Sequence, residues 1–225
     1  MKFPKNIRLN LWQTSLVVLL LCALMSWVFY SFYEIDRLSS EKAHEIQNLQ
    51  KQKAELQKSS EKKLQTWRIL YTLNLMTNGK ISADQQKKLL GKLLPLSHNY
   101  KIDPILILSI VYVESRGQLK LTSSQGAKGM MQIQPRTARV IATRLGYHKN
   151  EKIALSEIET NIELGTLYFI SLLERYNNTT QALVAYNRGE TFVDKAIKNH
   201  KKMPRAYSSE VFKMYRYFKN QIEMQ

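Results

Sequence analysis

Residues 9–33 (LNLWQTSLVVLLLCALMSWVFYSFY) form a run of 25 without a charged side chain, and this run constrains the chain more than any other feature. A bilayer core of roughly 30 Å is crossed by about 20 helical residues, so the run predicts a transmembrane helix. Lys2, Lys5 and Arg8 precede it, whereas Glu34 and Asp36 come before the next cation. Positive charge concentrated on the N-side places residues 1–8 in the cytoplasm and everything after residue 33 outside it. Trp12, Trp27, Tyr30 and Tyr33 stand toward the two ends, where aromatic rings favour the interface. A cleaved signal peptide would have an apolar core of about 7–15 residues and a small-x-small cleavage site, and no such site follows. Lipid attachment at Cys22 would call for a small residue where Leu21 stands. The reading is therefore a single-pass, uncleaved anchor.

No Gly or Pro occurs from Lys5 to Asn78, and residues 34–66 are charged and strongly helix-forming. Ile35, Leu49 and Leu56 share a heptad position, but Lys42 and Lys63 share it too, so the segment reads as a solvated helical stalk rather than a dimerisation coil. Thirty-three helical residues at about 1.5 Å each would span about 50 Å. Residues 67–225 then carry helical apolar spacing almost throughout, in WRILYTLNLM, QQKKLLGKLLPL, PILILSIVYV, TARVIATRLG, NIELGTLYFISLLERY, TQALVAYN and SEVFKMYRYF. Stops are expected at Gly79, Pro95, Gly146 and Gly189. The expected class is all-α.

Net charge is +16, of which +12 falls on residues 67–225. An anionic partner is implied: nucleic acid, a membrane surface or a charged polymer such as cell wall. Nucleic acid fits poorly, because no basic-aromatic binding motif is present and the topology puts the domain outside the cytoplasm. The single Cys and four scattered histidines (His44, His98, His148, His200) give no metal-ligand spacing.

Asp103-Pro104 is a helix start, with Asp as cap and Pro at the first position. The helix predicted from it ends on Glu114-Ser115, and Glu114 shares a face with Ile107, Ile110 and Val111. Burial among apolar side chains favours a protonated carboxyl, which is what a general acid requires at neutral pH. The same position would equally suit a Glu paired with Arg116 or Arg136, or one that simply closes the helix. Downstream, Gly126 and Gly129 punctuate SSQGAKGMMQIQPRTA, allowing positive φ or close approach to a ligand. Gln132 supplies an amide suited to sugar hydroxyls or an N-acetyl group, and Met130, Met131 and Ile133 read as core plugs. Tyr186-Asn187 end a further helix before Gly189.

Taken in order, E-S, G-A-x-G-M-M-Q-I-x-P and A-Y-N-x-G resemble the catalytic domain of the lytic transglycosylases of the soluble-transglycosylase type, a goose-lysozyme-like fold. The likeness runs from about Ser97 to Phe218 and includes Asn161-Ile162-Glu163-Leu164-Gly165-Thr166-Leu167-Tyr168. It implies a carbon-oxygen lyase acting on peptidoglycan, with Glu114 as the catalytic acid and then base. Ser115, Ser123, Gln132, Tyr186 and Asn187 match family positions that contact saccharide or support the acid. No metal or organic cofactor is implied. The expected partners are peptidoglycan glycan strands, the inner membrane through the N-terminal helix, and an envelope or secretion machinery where such an enzyme opens wall locally. Two departures stand out. Tyr207 matches a family Tyr, but Met203-Pro204 replace the Glu-Thr before it, and Gly117-Gln118-Leu119 replace an aromatic-Asn-Pro. A second carboxylate, as ordinary glycosidases use, is not marked by the sequence, although Glu190 follows the Tyr-Asn motif closely enough to stay open. A lysozyme-like hydrolase and a non-catalytic wall-binding scaffold are the alternatives on the same fold.

Overall fold

The computed structural model describes residues 11–148 and 151–225. The segment 1–8, read above as cytoplasmic, and residues 9 and 10 of the apolar run lie outside the described residues. The chain divides at Glu61/Lys62 into two units, and α1 (Leu11–Thr77) contributes to both.

In the first unit α1 carries the uncharged run with its side chains exposed, Trp12, Leu16, Leu20, Leu24 and Phe29 among them. It is long and apolar enough to cross a membrane. The following stretch presents exposed charged residues, with Arg37 bridging Glu34 and Glu41 along one face.

The second unit is helical, and among the described residues its only sheet-like pairings are the isolated bridges Thr122–Lys128 and Lys128–Ile133. After the end of α1 come α2 (Ala83–Tyr100), α3 (Pro104–Ser115), α4 (Pro135–Arg144), α5 (Ile158–Tyr176), α6 (Thr179–Arg188), α7 (Glu190–Lys198) and α8 (Ala206–Glu223). Helix α3 lies at the centre because its sequence permits nothing else. Pro104, Ile105, Ile107, Leu108, Ser109, Ile110, Val111 and Ser115 are all buried, so it is apolar nearly all round. Helix α8 packs along it, α2 lies on α5, and α5 also receives α4 and α6. Ile69 and Leu73 from the end of α1, Leu89 and Leu93 from α2, Phe169 from α5 and Phe218 from α8 complete the core.

Both ends of α3 follow the local rules. Asp103 accepts the Ile105 N–H at 2.9 Å, Pro104 takes the first position, and Arg116 closes the helix with φ 55°. Asp103 also accepts a hydrogen bond from the Tyr215 hydroxyl at 2.7 Å and lies 3.6 Å from Lys219 Nζ, so the cap of α3 doubles as the anchor of α8.

One expectation needs correction. Pro95 is not a stop, since α2 runs through it to Tyr100. A proline inside a helix forfeits one bond to the carbonyl four residues back, here Gly91, but Leu89, Leu93 and Ser97 are buried on both sides of it and hold the helix together. Helix α7 is an element the sequence reading does not include, nine residues of which Val193 and Ala196 are buried.

Replacing Asp103 with Ala removes the cap and the partner of Tyr215. Loss of a cap alone costs about 0.5–2 kcal/mol, so the unfolding free energy of the detergent-solubilised chain, read by urea, falls by that order or more with the slope unchanged. Tyr215→Phe, which keeps the cap, lowers it by about 1 kcal/mol.

Candidate active site

Glu114 sits in the last turn of α3, partly buried. Its Oε1 accepts a hydrogen bond from the Tyr207 hydroxyl at 2.6 Å, and among the described residues it belongs to none of the ion pairs. Arg116, a partner the sequence left open, instead lies 4.2 Å over the ring of Tyr112. Burial pushes the Glu114 carboxyl up from 4.5 to about 6, and the Tyr207 bond opposes that rise without cancelling it. Desolvation is the larger effect because the hydroxyl supplies one neutral donor where water would supply several.

Two tyrosines surround the acid. The Tyr207 hydroxyl is held well above its ordinary range by burial first and then by the Glu114 charge. The same two causes, in the same order, act on Tyr186. Both therefore remain hydrogen-bond donors at any working pH. Tyr186 spends its proton on the Met131 carbonyl at 2.7 Å, and its ring packs on Tyr168 and Phe169, with centroids 5.4 and 6.0 Å away.

The loop from Gly117 to Gln134 lies beside this group and is stitched to it from three sides. The Ser115 hydroxyl, buried, is 2.8 Å from the Met130 carbonyl and accepts the Gly117 N–H at 3.2 Å. Asn161 of α5 accepts the Met131 N–H at 2.8 Å and donates to the carbonyls of Lys128 and Leu155 at 2.8 and 2.9 Å. Tyr186 makes the third stitch. Gly129 has φ +76°, and a Cβ there would run into the Asn161 side chain, so this glycine is required by the stitch itself. Met130, Met131 and Ile133 fill the core as expected. At the departure Gly117-Gln118-Leu119, a Cβ on Gly117 would come within 2.8 Å of Thr77 Cγ2, so the end of α1 occupies the space a side chain would need.

The candidate residues thus separate by what they still have to offer. Ser115 has its hydroxyl enclosed and committed to the loop. Gln132, at φ 46°, donates its amide hydrogens to Leu121 and Gly129 carbonyls, which leaves its carbonyl to meet a ligand. Ser123 Oγ accepts the Ala127 N–H at 3.0 Å within the loop. Asn187 is exposed at the end of α6, next to Tyr186. Neither Ser123 nor Asn187 is hydrogen-bonded to Glu114. Asn161 and Tyr168 stood in the sequence motif without an assigned task, and their roles appear only when α5 is laid against the loop.

Three carboxylates of the neighbouring helices are held by cations. Glu190 lies 3.4 Å and Asp194 2.8 Å from the Arg175 guanidinium, and Glu163 lies 2.9 Å from Lys92 Nζ. Among the described residues no three His, Cys, Asp or Glu side chains gather as a metal site would need.

The model of the Transglycosylase SLT domain matches residues 95–208, half of the chain, from the end of α2 through Tyr207. The chain belongs to this family. It is 35% identical over 115 residues to the membrane-bound lytic murein transglycosylase E of Buchnera aphidicola, covering 47% of this chain and 52% of the relative. It is 33% identical over 93 residues to the transglycosylase of Enterobacteria phage PRD1, covering 41% and 32%. The chain therefore spans about half, or less, of the length of these curated relatives. In fold it is similar to the 70-kDa soluble lytic transglycosylase of Escherichia coli (TM-score 0.51, 21% identity, 68% of this chain and 30% of that one). A 70-kDa soluble lytic transglycosylase in complex with bulgecin A gives TM-score 0.53 at 21% identity, over 64% of this chain and 25% of that one. The lysozyme-like all-α class expected from sequence is the class found.

Within this SLT domain the buried acid should weaken the fold at high pH. An unfolded Glu ionises near 4.5 and the folded one near 6, so the fold favours the protonated form. Its contribution is complete below about 4.5 and is lost as pH rises through about 6. Glu114→Gln is then expected to stabilise the chain by about 2 kcal/mol at pH 8 and by nothing at pH 4, as read by urea unfolding at the two pH values. In the same domain Tyr207→Phe removes the bond that lowers the carboxyl, so carbon-13 detection of Glu114 will show its titration moving upward.

Proposed function

We propose that this chain is a membrane-anchored peptidoglycan lytic transglycosylase in which Glu114 is the general acid and then the base. The observation that carries this reading is a lone carboxyl, made reluctant to ionise by its apolar helix, with a tyrosine donor fixing it, while Glu163, Glu190 and Asp194 are each engaged by a cation. Family membership and the wording of the relatives' names support the same substrate class.

In this mechanism the protonated Glu114 gives its proton to the glycosidic oxygen between N-acetylmuramic acid and N-acetylglucosamine. The muramic N-acetyl group stabilises the oxocarbenium-like centre as the bond breaks. Glu114, now a carboxylate, takes the proton of the sugar's own 6-hydroxyl, and that oxygen closes a 1,6-anhydro ring. One carboxyl serves both steps, so the second acid of ordinary glycosidases has no task. Tyr207 positions the carboxyl. The Gln132 carbonyl and the exposed Asn187 amide are the groups we assign to saccharide contact, with Ser123 at the loop edge and Tyr186 forming the floor. Ser115 belongs to the same wall and acts by holding the Met130 backbone. The apolar run of α1 fixes the domain to the inner membrane by a single pass, with the domain in the periplasm.

The test is digestion of purified sacculi by the full chain in detergent, with mass analysis of the released muropeptides. Anhydro products that fall by about 10²–10⁴-fold in Glu114→Gln are expected. Reducing-end products would replace this reading with hydrolysis, and no release by folded protein would leave a wall-binding scaffold. Because the acid form is needed, kcat/KM is expected to decline as pH rises through about 6. In Tyr207→Phe that alkaline limb moves to higher pH.

A further inference from the structure

Helices α6 and α7 are separated by Gly189 alone, which turns the chain at φ 84° and ψ 154°. Tyr186 and Asn187 stand just ahead of that corner, so the direction in which α7 leaves it bears on where they lie. Helix α7 has little core of its own, since Val193 and Ala196 are its buried residues. Its tie to α5 is polar. Arg175 reaches Asp194 at 2.8 Å with one guanidinium nitrogen and Glu190 at 3.4 Å with the other. The hydroxyl of Tyr176, the next residue, is 3.0 Å from Asp194 Oδ1 and 3.3 Å from the Glu190 carbonyl. The guanidinium also lies 5.6 Å over the Tyr176 ring. Glu190 and Asp194 are one helical turn apart, so their charges would repel if nothing stood between them. The forked guanidinium meets both at once, which a point charge could not do.

The two groups ahead of the corner differ in what holds them. Tyr186 is fixed by its bond to the Met131 carbonyl and by the rings of Tyr168 and Phe169. Asn187 is exposed, and among the described residues its amide makes no hydrogen bond within the protein. Its position therefore follows its backbone, and the backbone follows the corner.

We propose that Arg175 and Tyr176, by clamping Glu190 and Asp194, are positioning residues that set the α6–α7 corner and through it aim the Asn187 amide at the saccharide. This rests on the peptidoglycan reading above. Glu190, left open by the sequence as a second carboxylate, is one jaw of this clamp. The clamp acts on binding and leaves the proton transfers of Glu114 unaltered.

The test is a double-mutant cycle on isolated glycan strands, using the full chain in detergent. Asn187→Ala is expected to raise KM about three- to tenfold, as the loss of one hydrogen bond does, with kcat unchanged. Arg175→Gln moves KM toward the same value, and the double variant matches Asn187→Ala alone. Arg175→Lys, which keeps the charge without the fork, restores part of the wild-type KM. If Arg175→Gln does not fold, Tyr176→Phe takes its place in the cycle. An unchanged KM in either single variant, a fall in kcat, or KM factors that multiply in the double variant overturns the proposal. Each of those outcomes leaves the transglycosylase reading intact. If the wild-type chain cuts no strand, that reading fails, and the same cycle is run on the Kd for sacculi, measured by co-sedimentation. Losses that do not accumulate there uphold the clamp, whereas losses that multiply, or no binding, remove it.

Discussion

Desolvation of one carboxyl group governs the design of the globular unit. Helix α3 is apolar nearly all round, and ending it on Glu114 forces an ionisable group to the boundary of the core. The cost of ionising there raises the carboxyl to about 6. The Tyr207 hydroxyl keeps the group from being an orphan without making it an easy anion. Had an arginine been the partner, the carboxyl would be pulled toward permanent ionisation, and the capacity to deliver a proton would be lost.

Keeping a tyrosine on that carboxyl requires α8 to lie along α3 in fixed register, and the two helices are joined at both ends by the same chemistry. Tyr207 reaches Glu114 at the end of α3, and Tyr215 reaches Asp103 at its start. The loop beyond α3 is held with equal care but by neutral groups. Ser115, Asn161 and Tyr186 each bond a backbone atom of Met130 or Met131. Most polar side chains near the acid therefore satisfy buried peptide groups, as a loop pressed into a core demands. The positive charge of the domain, the first hint of an anionic partner, lies on its exposed surface, where it affects capture more than chemistry.

Much of this was legible in the chain itself. The Asp-Pro start and the Glu-Ser end of α3, Pro135 opening α4 and Gly189 closing α6 all stand where the local rules put them, because capping involves atoms only a few residues apart. Pro95 misled for the complementary reason. The local penalty for proline is real, but burial of Leu89, Leu93 and Ser97 outweighs it, and burial depends on α5. Helix α7 is short, so its apolar positions Phe192, Val193, Ala196 and Ile197 give only about two turns of pattern, and its packing on α6 decides it.

By itself the sequence determined an apolar run fit to span a bilayer, an all-helical domain and a single acid on an apolar stripe, since each follows from spacing along one helix. Only the tertiary structure decided which partner that acid has. It also decided which candidate side chains are spent on the loop. Those facts join residues tens of positions apart, Glu114 with Tyr207 and Met131 with Asn161. No local pattern encodes such distances, because they are set by how whole helices pack.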